Sequence, residues 1–163
     1  DDPGLTVRDM GVSRQPVRVV LSRRLDLPLM GQLARTAQEV PVWICHGPDV
    51  DPLLVRSWRD LGVMLLPCRV AQGQLDPADV LQQLGKQGLT RVFCEGGGAV
   101  AASLLGQDLV DELIGFTAGL AIGAEGLPGI AAMGLERLGA APRYKLIETR
   151  AIGVDVLHCW RRG

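Results

Sequence analysis

Aromatic residues make up 4% of this chain, histidines number two, and acidic and basic side chains nearly cancel to a formal net charge of -1. Each shortage closes off a class of function. Trp43, Trp58 and Trp160 are far apart and fall in periodic segments, so they read as packing residues and not as a platform on which single-stranded bases stack. With no basic excess and no basic tail, a nucleic-acid-binding surface is not expected. No apolar run approaches the ~20 residues of a membrane span. The opening Asp1-Asp2-Pro3-Gly4 is neither a charged nor an apolar leader region, so the expectation is a cytoplasmic protein with no membrane partner. Cys45, Cys68, Cys94 and Cys159 form no C-x-x-C pair, and neither histidine is spaced to complete a zinc set; no metal is expected. Cys45, Cys94 and Cys159 lie in apolar strand-like runs, where a reduced thiol behaves as a small buried hydrophobe. His46 and His158 also sit in strand-like runs, without a Ser or Cys partner motif, which argues against either as a catalytic base.

What the chain does have is apolar content, 47% of 163 residues, enough to bury a real core as one domain spanning residues 1–163. Along it, segments alternate. Val17-Arg18-Val19-Val20-Leu21-Ser22 and Val40-Pro41-Val42-Trp43-Ile44-Cys45-His46 read as strands. The stretch between them, residues 29–39, reads as a short helix or irregular. Leu54, Val55, Trp58 and Leu61 recur at helical spacing before Gly62, and Val63-Met64-Leu65-Leu66 then reads as a strand. Asp76-Pro77-Ala78-Asp79 is a helix start, with an acid as cap, proline in the first turn and a second acid three residues on. Beyond residue 110 the pattern changes: a strand over residues 110–118, a Gly-rich excursion, then two alternating runs around Gly153 that predict an antiparallel hairpin. The expected architecture is α/β, a mixed and mostly parallel sheet ending in an antiparallel carboxyl-terminal hairpin.

The segment Arg91-Val92-Phe93-Cys94-Glu95-Gly96-Gly97-Gly98-Ala99-Val100-Ala101-Ala102-Ser103 carries the most chemistry. It reads as an apolar strand running into an acid, three glycines and a helix. Without Cβ atoms the backbone can turn sharply and approach a ligand closely, and free N–H groups at a helix start offer partial positive charge to a phosphate. One glycine would satisfy a plain strand-to-helix turn; three in a row after a carboxylate point to a phosphate or dinucleotide site. Gly96-x-Gly98-x-x-Ala101 formally fits the dinucleotide fingerprint, but the acid wanted about 20 residues on is missing, since Phe116-Thr117-Ala118-Gly119-Leu120 stands there. A conventional Rossmann enzyme is therefore excluded.

Cys94-Glu95-Gly96-Gly97-Gly98, Ser103-Leu104-Leu105, Leu109-Val110-Asp111-Glu112-Leu113 and Gly126-Leu127-Pro128 together resemble the reductase half of the bifunctional riboflavin-biosynthesis deaminase/reductases, the RibD family. Asp1-Asp2-Pro3-Gly4-Leu5-Thr6-Val7-Arg8 resembles that family's D-D-P-x-L-T-x-R segment, and Pro16-Val17-Arg18-Val19-Val20-Leu21 with Leu25-Asp26-Leu27-Pro28 resembles its next strand and turn. The resemblance extends over essentially the whole chain. It implies a dihydrofolate-reductase-like, three-layer fold and NADPH-dependent reduction of 5-amino-6-(5-phosphoribosylamino)uracil, a phosphorylated ribosylaminopyrimidine, to the ribitylamino compound. The family's deaminase signatures, H-x-E and P-C-x-x-C, do not occur in these residues, so deamination is not expected. The family's reductase also begins with a strand and helix ahead of the D-D-P segment, so the chain reads as amino-terminally truncated. An unpaired sheet edge invites association, and a homodimer is expected.

Residue roles follow from the resemblance. Gly97, Gly98, Ala99, Val100, Ala101, Ala102 and Ser103 would cradle the cofactor's pyrophosphate; Glu95 would contact the substrate and Asp1 the cofactor near the reacting centre, these two being the catalytic candidates. Leu5 and Arg8 would meet the substrate, Arg8 offering a fork suited to phosphate. Ser22 and Arg23 occupy a strand end where the family commonly shows Asp-Ser; there Arg23 or Arg24 would pair with the cofactor's 2′-phosphate. On the residues alone, Arg8 also fits a solvated surface charge and Glu95 a turn or helix cap. Two other functions stay open: a non-catalytic NADPH-binding or oligomerisation module, and a dihydrofolate-reductase-like enzyme for another pterin-like or pyrimidine substrate.

Overall fold

A computed structural model describes residues 2–163, apart from the side chain of Ala124. Asp1 lies outside the described residues. The chain divides into two compact units, Asp1–Thr90 and Arg91–Gly163.

In the first unit the β-branched run after Pro16 forms β1 (Arg18–Leu21), which pairs in parallel with β2 (Val42–His46). After β2 comes β3 (Met64–Pro67), parallel to it, giving the order β1-β2-β3. Parallel neighbours need crossovers. The first contains a single turn of helix, α1 (Gln32–Arg35), and the second contains α2 (Pro52–Asp60). Asp51 starts α2 by accepting the Leu53 N–H at 2.8 Å, with Pro52 supplying a preset φ.

Strand periodicity sorts β2 onto two faces. Val42 and Ile44 join Leu25, Ala34, Ala37, Trp58 and Val63 in one cluster. Cys45 joins Leu66, Cys68, Val80 and Leu84 in the other, beneath α3 (Pro77–Lys86). Helices therefore cover both faces of the sheet, and full burial of side chains such as Ile44 and Leu84 contributes roughly 1.5–3 kcal/mol each.

Between β3 and α3 a small ribbon, β4 (Val70–Ala71) with β5 (Gln74–Leu75), turns through Gln72 and Gly73. Asp76 caps α3 by accepting from Ala78 N–H at 3.1 Å and also receives the Arg69 guanidinium. The second acid, Asp79, does not close a capping box. Its carboxylate accepts the Arg69 backbone N–H at 2.6 Å, while the Asp76 N–H that a capping box would use bonds Arg69 O at 2.9 Å.

Arg18 is the least expected core residue, 2% exposed in the middle of an apolar run. Its guanidinium donates to Gly4 O, to Thr36 Oγ1 and O, and to Val40 O, at 2.6 to 3.2 Å. One buried cation thus ties the amino-terminal segment and the α1 crossover to β1. Burial pulls its pKa down and Glu39 opposes that pull.

The second unit contains α4 (Gly98–Gly106), β6 (Glu112–Thr117), β7 (Tyr144–Ile152) and β8 (Asp155–Arg162). The strands form an antiparallel sheet in the order β6-β8-β7. The expected hairpin is there, β7 and β8 turning through Gly153, whose φ of +62 suits a two-residue turn. From β8, Arg162 reaches the carbonyls of Asp108 and Val110, and Tyr144 donates its hydroxyl to Val110 O at 3.1 Å. These bonds fasten the α4–β6 connection to the sheet.

Two expectations fail here. Residues 91–94 do not form a strand: the segment bonds to no neighbouring strand among the described residues. Apolar alternation gives a segment strand character, but a strand exists only by pairing, and no partner is supplied. Cys94 is consequently exposed and Cys159 partly exposed, whereas Cys68, which had no expected burial, is buried beside Cys45. Burial pushes the Cys45 thiol up, with Cys68 adding to the effect, so neither behaves as a ready nucleophile.

Candidate functional site

The glycine motif resolves into glycines with different jobs. A Cβ on Gly98 would lie 2.6 Å from Pro128 O and 3.0 Å from Ala131 N, and Ala131 N–H bonds Gly98 O at 3.0 Å. Gly98 is therefore a glycine because the loop at residues 128–131 crosses its backbone. That explains the third glycine without any ligand. Gly97, the residue capping α4, is the opposite case: a Cβ there would meet nothing within 4 Å.

The helix start it caps has spare donors. Val100 and Ala101 N–H groups bond Gly97 O at 3.0 and 3.2 Å, but those of Gly97, Gly98 and Ala99 take no partner among the described residues. Such N–H groups at a helix start favour an anion. Glu95 stands exposed just before them, with no bond of its own among the described residues, so it caps nothing. Farther along α4 the side chains diverge. Ala99 and Ser103 are exposed, Val100 and Ala101 are half-buried, and Ala102 is buried at 7% exposure. The Ser103 hydroxyl donates to Ala99 O at 2.9 Å, keeping its lone pairs available as acceptors.

On the first unit, Asp2 rather than Asp1 has a described job. Both its carboxylate oxygens accept the Gln32 N–H at 2.8 Å, capping α1, whose own Gly31 has no side chain to do so. Leu5 follows, half-buried and with φ +49. Gln15 then clasps Val7 from both sides, accepting its N–H at 2.8 Å and donating to its carbonyl at 3.0 Å. The clasp fixes the backbone next to Arg8, which is exposed and makes no ion pair among the described residues. Gln15 carried no motif in the sequence; an amide eight residues from its target leaves no periodic signal.

Ser22 and Arg23 lie just past the carboxyl end of β1. Ser22 is buried and its hydroxyl donates to Asp26 Oδ1 at 2.9 Å, while Arg23 is half-buried. Buried His46 is engaged through Nδ1 with Gly47 O at 2.7 Å. Among the described residues no cluster of His, Cys, Asp and Glu could hold a metal, and no helix is long and apolar enough to cross a membrane.

A parallel α/β layer, an antiparallel hairpin and a helix start with open N–H donors just after a carboxylate define an α/β protein with a place suited to an anion. The chain belongs to the family described as the RibD C-terminal domain, which it matches over residues 1–158. It is 32% identical over 158 residues to the riboflavin biosynthesis protein RibD of Actinobacillus pleuropneumoniae, covering 96% of this chain and 42% of that protein. The chain thus spans less than half the length of that relative. It is also 26% identical over 140 residues to an Archaeoglobus fulgidus protein named 2,5-diamino-6-ribosylamino-4(3H)-pyrimidinone 5′-phosphate reductase, covering 80% of this chain and 61% of that one. Among solved structures it superposes on Acinetobacter baumannii RibD with a TM-score of 0.78 at 25% identity, covering 99% of this chain and 43% of that one.

Proposed function

We propose that the chain is the reductase part of a riboflavin-biosynthesis enzyme, reducing 5-amino-6-(5-phosphoribosylamino)uracil to its ribitylamino product with NADPH. The observation that carries this reading is the open glycine cap: Gly97 faces free space at a helix start whose first N–H groups are unpartnered, directly after exposed Glu95. The reductase name of the archaeal relative supports the reaction class.

The cofactor, when bound, supplies a hydride. In the substrate the ribose ring opens to a carbon–nitrogen double bond at C1; hydride adds to C1, a proton goes to nitrogen, and the sugar becomes a ribityl chain. The chain's own residues do the positioning. The N–H groups of residues 97–99 suit a pyrophosphate, and the Ser103 hydroxyl oxygen can accept at the rim. Ser22 and Arg23 are assigned to the cofactor as well. Arg8 would hold the substrate's phosphate with its fork, with Leu5 beside it, and Glu95 would bond the substrate. A contact of Asp1 with the cofactor belongs to the same proposal.

Two substitutions test it. Gly97→Val should weaken NADPH binding at least tenfold, about 1.4 kcal/mol, while stability falls by only about 1 kcal/mol or less, because the new side chain enters open space and costs only a helix-cap preference. Glu95→Gln should lower turnover of the reduced nicotinamide with substrate while NADPH affinity holds. NADPH binding that ignores Gly97→Val refutes the cofactor placement. Binding without oxidation in the unmodified chain favours a non-catalytic module.

A further inference from the structure

Leu5 and Arg8, the two substrate candidates on the amino-terminal segment, each come directly after a pinned residue. Gly4, just before Leu5, gives its carbonyl to the buried Arg18 guanidinium at 3.2 Å, and Val7, just before Arg8, is clasped by Gln15. Leu5 has φ +49, a backbone that a branched side chain keeps only where its surroundings hold it. None of residues 2–8 is buried. Polar contacts, and not a core, therefore hold the segment.

Those contacts form a closed circuit through α1. At its start, Asp2 accepts the Gln32 N–H with both carboxylate oxygens at 2.8 Å. At its carboxyl end, Thr36 receives Arg18 on its hydroxyl at 2.8 Å and on its carbonyl at 2.9 Å, and its hydroxyl donates to Gln32 O at 2.7 Å. Arg18 then reaches back to Gly4 O, so residues 2 and 4 are gripped by the two ends of one turn of helix. The fit is close. A Cβ on Gly31 would stand 3.0 Å from Asp2 Oδ1, and one on Gly4 would stand 3.0 Å from Gln32 Oε1. A single turn has almost no stability of its own, and Gly31 brings no capping side chain. The helix thus depends on a cap supplied by the very segment it holds.

We propose that Asp2 is a positioning residue for the substrate: by capping α1 it closes the circuit that sets the backbone at Leu5 and Arg8. The assignment of Leu5 and Arg8 to the substrate rests on the reductase reading; Asp2 acts through the backbone. Without the cap, the turn that carries Thr36 loosens, and the Arg18–Gly4 bond loosens with it. The substrate must then order the segment as it binds, and that ordering is subtracted from its affinity.

The test compares the whole chain with its Asp2→Ala, Asp2→Asn and Arg8→Ala variants by amide exchange and by binding of ribose 5-phosphate. Asp2→Ala should speed exchange of the Val7 amide by about fivefold or more while the amides of β2 keep their rates. It should also weaken ribose 5-phosphate by about tenfold or more. Asparagine keeps a capping oxygen, so Asp2→Asn should bring both readouts back to within about twofold of the wild type. Val7 exchange that ignores Asp2→Ala overturns the proposal, as does ribose 5-phosphate binding that is lost with Arg8→Ala but kept with Asp2→Ala. Equal acceleration in the β2 amides overturns it too, since Asp2 would then serve general stability. A wild type that does not bind ribose 5-phosphate, or binds it regardless of Arg8, strikes the substrate assignment itself, and the proposal falls with the reading it rests on.

Discussion

Asp1–Thr90 packs two hydrophobic clusters against opposite faces of a parallel sheet, whereas Arg91–Gly163 leaves large apolar side chains in solvent. Among the described residues the second unit contributes only Ala102, Leu105 and Leu157 to the buried hydrophobic set. Phe93 is 74% exposed, Phe116 66% and Leu127 97%. The polar bonding differs in the same direction: the first unit closes on a buried arginine with four acceptors, the second on Arg162 at the rim of its sheet. The difference teaches that one half is organised by burial and the other mainly by backbone pairing. The half that carries the glycine motif is the less buried one. Sites that must admit ligands are drawn from regions of low local stability.

The largest effect should come from the first unit's polar centre. Arg18→Ala strands the carbonyls of Gly4 and Val40, which accept from Arg18 alone among the described residues, and should cost roughly 3 kcal/mol or more, read by denaturant unfolding. A cost under about 1 kcal/mol would break the contrast between the units. Native-state hydrogen exchange compares them directly. Amides of β2 should outlast those of β6 by about 2 kcal/mol of opening free energy, roughly thirtyfold in rate, and equal protection would erase the distinction. Gly98→Ala pushes a Cβ into the Pro128 carbonyl and should lower stability by about 1–3 kcal/mol, where Gly97→Ala changes it by a few tenths. Equal melting temperatures for the two variants would mean that loop 128–131 does not seat on Gly98. Below the Gly98 effect in stability comes Gln15→Ala, which removes two exposed hydrogen bonds and should cost about 0.5–1 kcal/mol. Its larger signature should be weaker binding of phosphorylated substrate, through loss of the clasp beside Arg8.

These contrasts also mark what can be read from residues alone. In the first unit β1, β2, β3, α2 and α3 were legible because β-branched runs, helical spacing and the Asp76-Pro77 start are local signals, whereas the β4-β5 ribbon was not. The hairpin around Gly153 was legible too. Arg18 was not, since a charge within an apolar run says nothing of the four acceptors that distant segments bring to it. The segment at residues 91–94 has strand chemistry without a strand, because pairing is a property of neighbours. At the candidate site, the glycine run was rightly singled out, but its division of labour was invisible: only geometry separates Gly98, closed off by a loop, from open Gly97.

Among the described residues the sheet order β6-β8-β7 leaves β6 at an edge of its sheet, and β6 carries a single charged side chain, Glu112, against Lys145, Glu148 and Arg150 on the opposite edge strand β7. Charged side chains along an edge are what keep strands of separate molecules from adding to one another. By that measure β7 is guarded and β6 is open. The consequence is colloidal: a lysine placed at Phe116 or Ile114, both exposed, would give β6 the charge it lacks without touching the glycine cap.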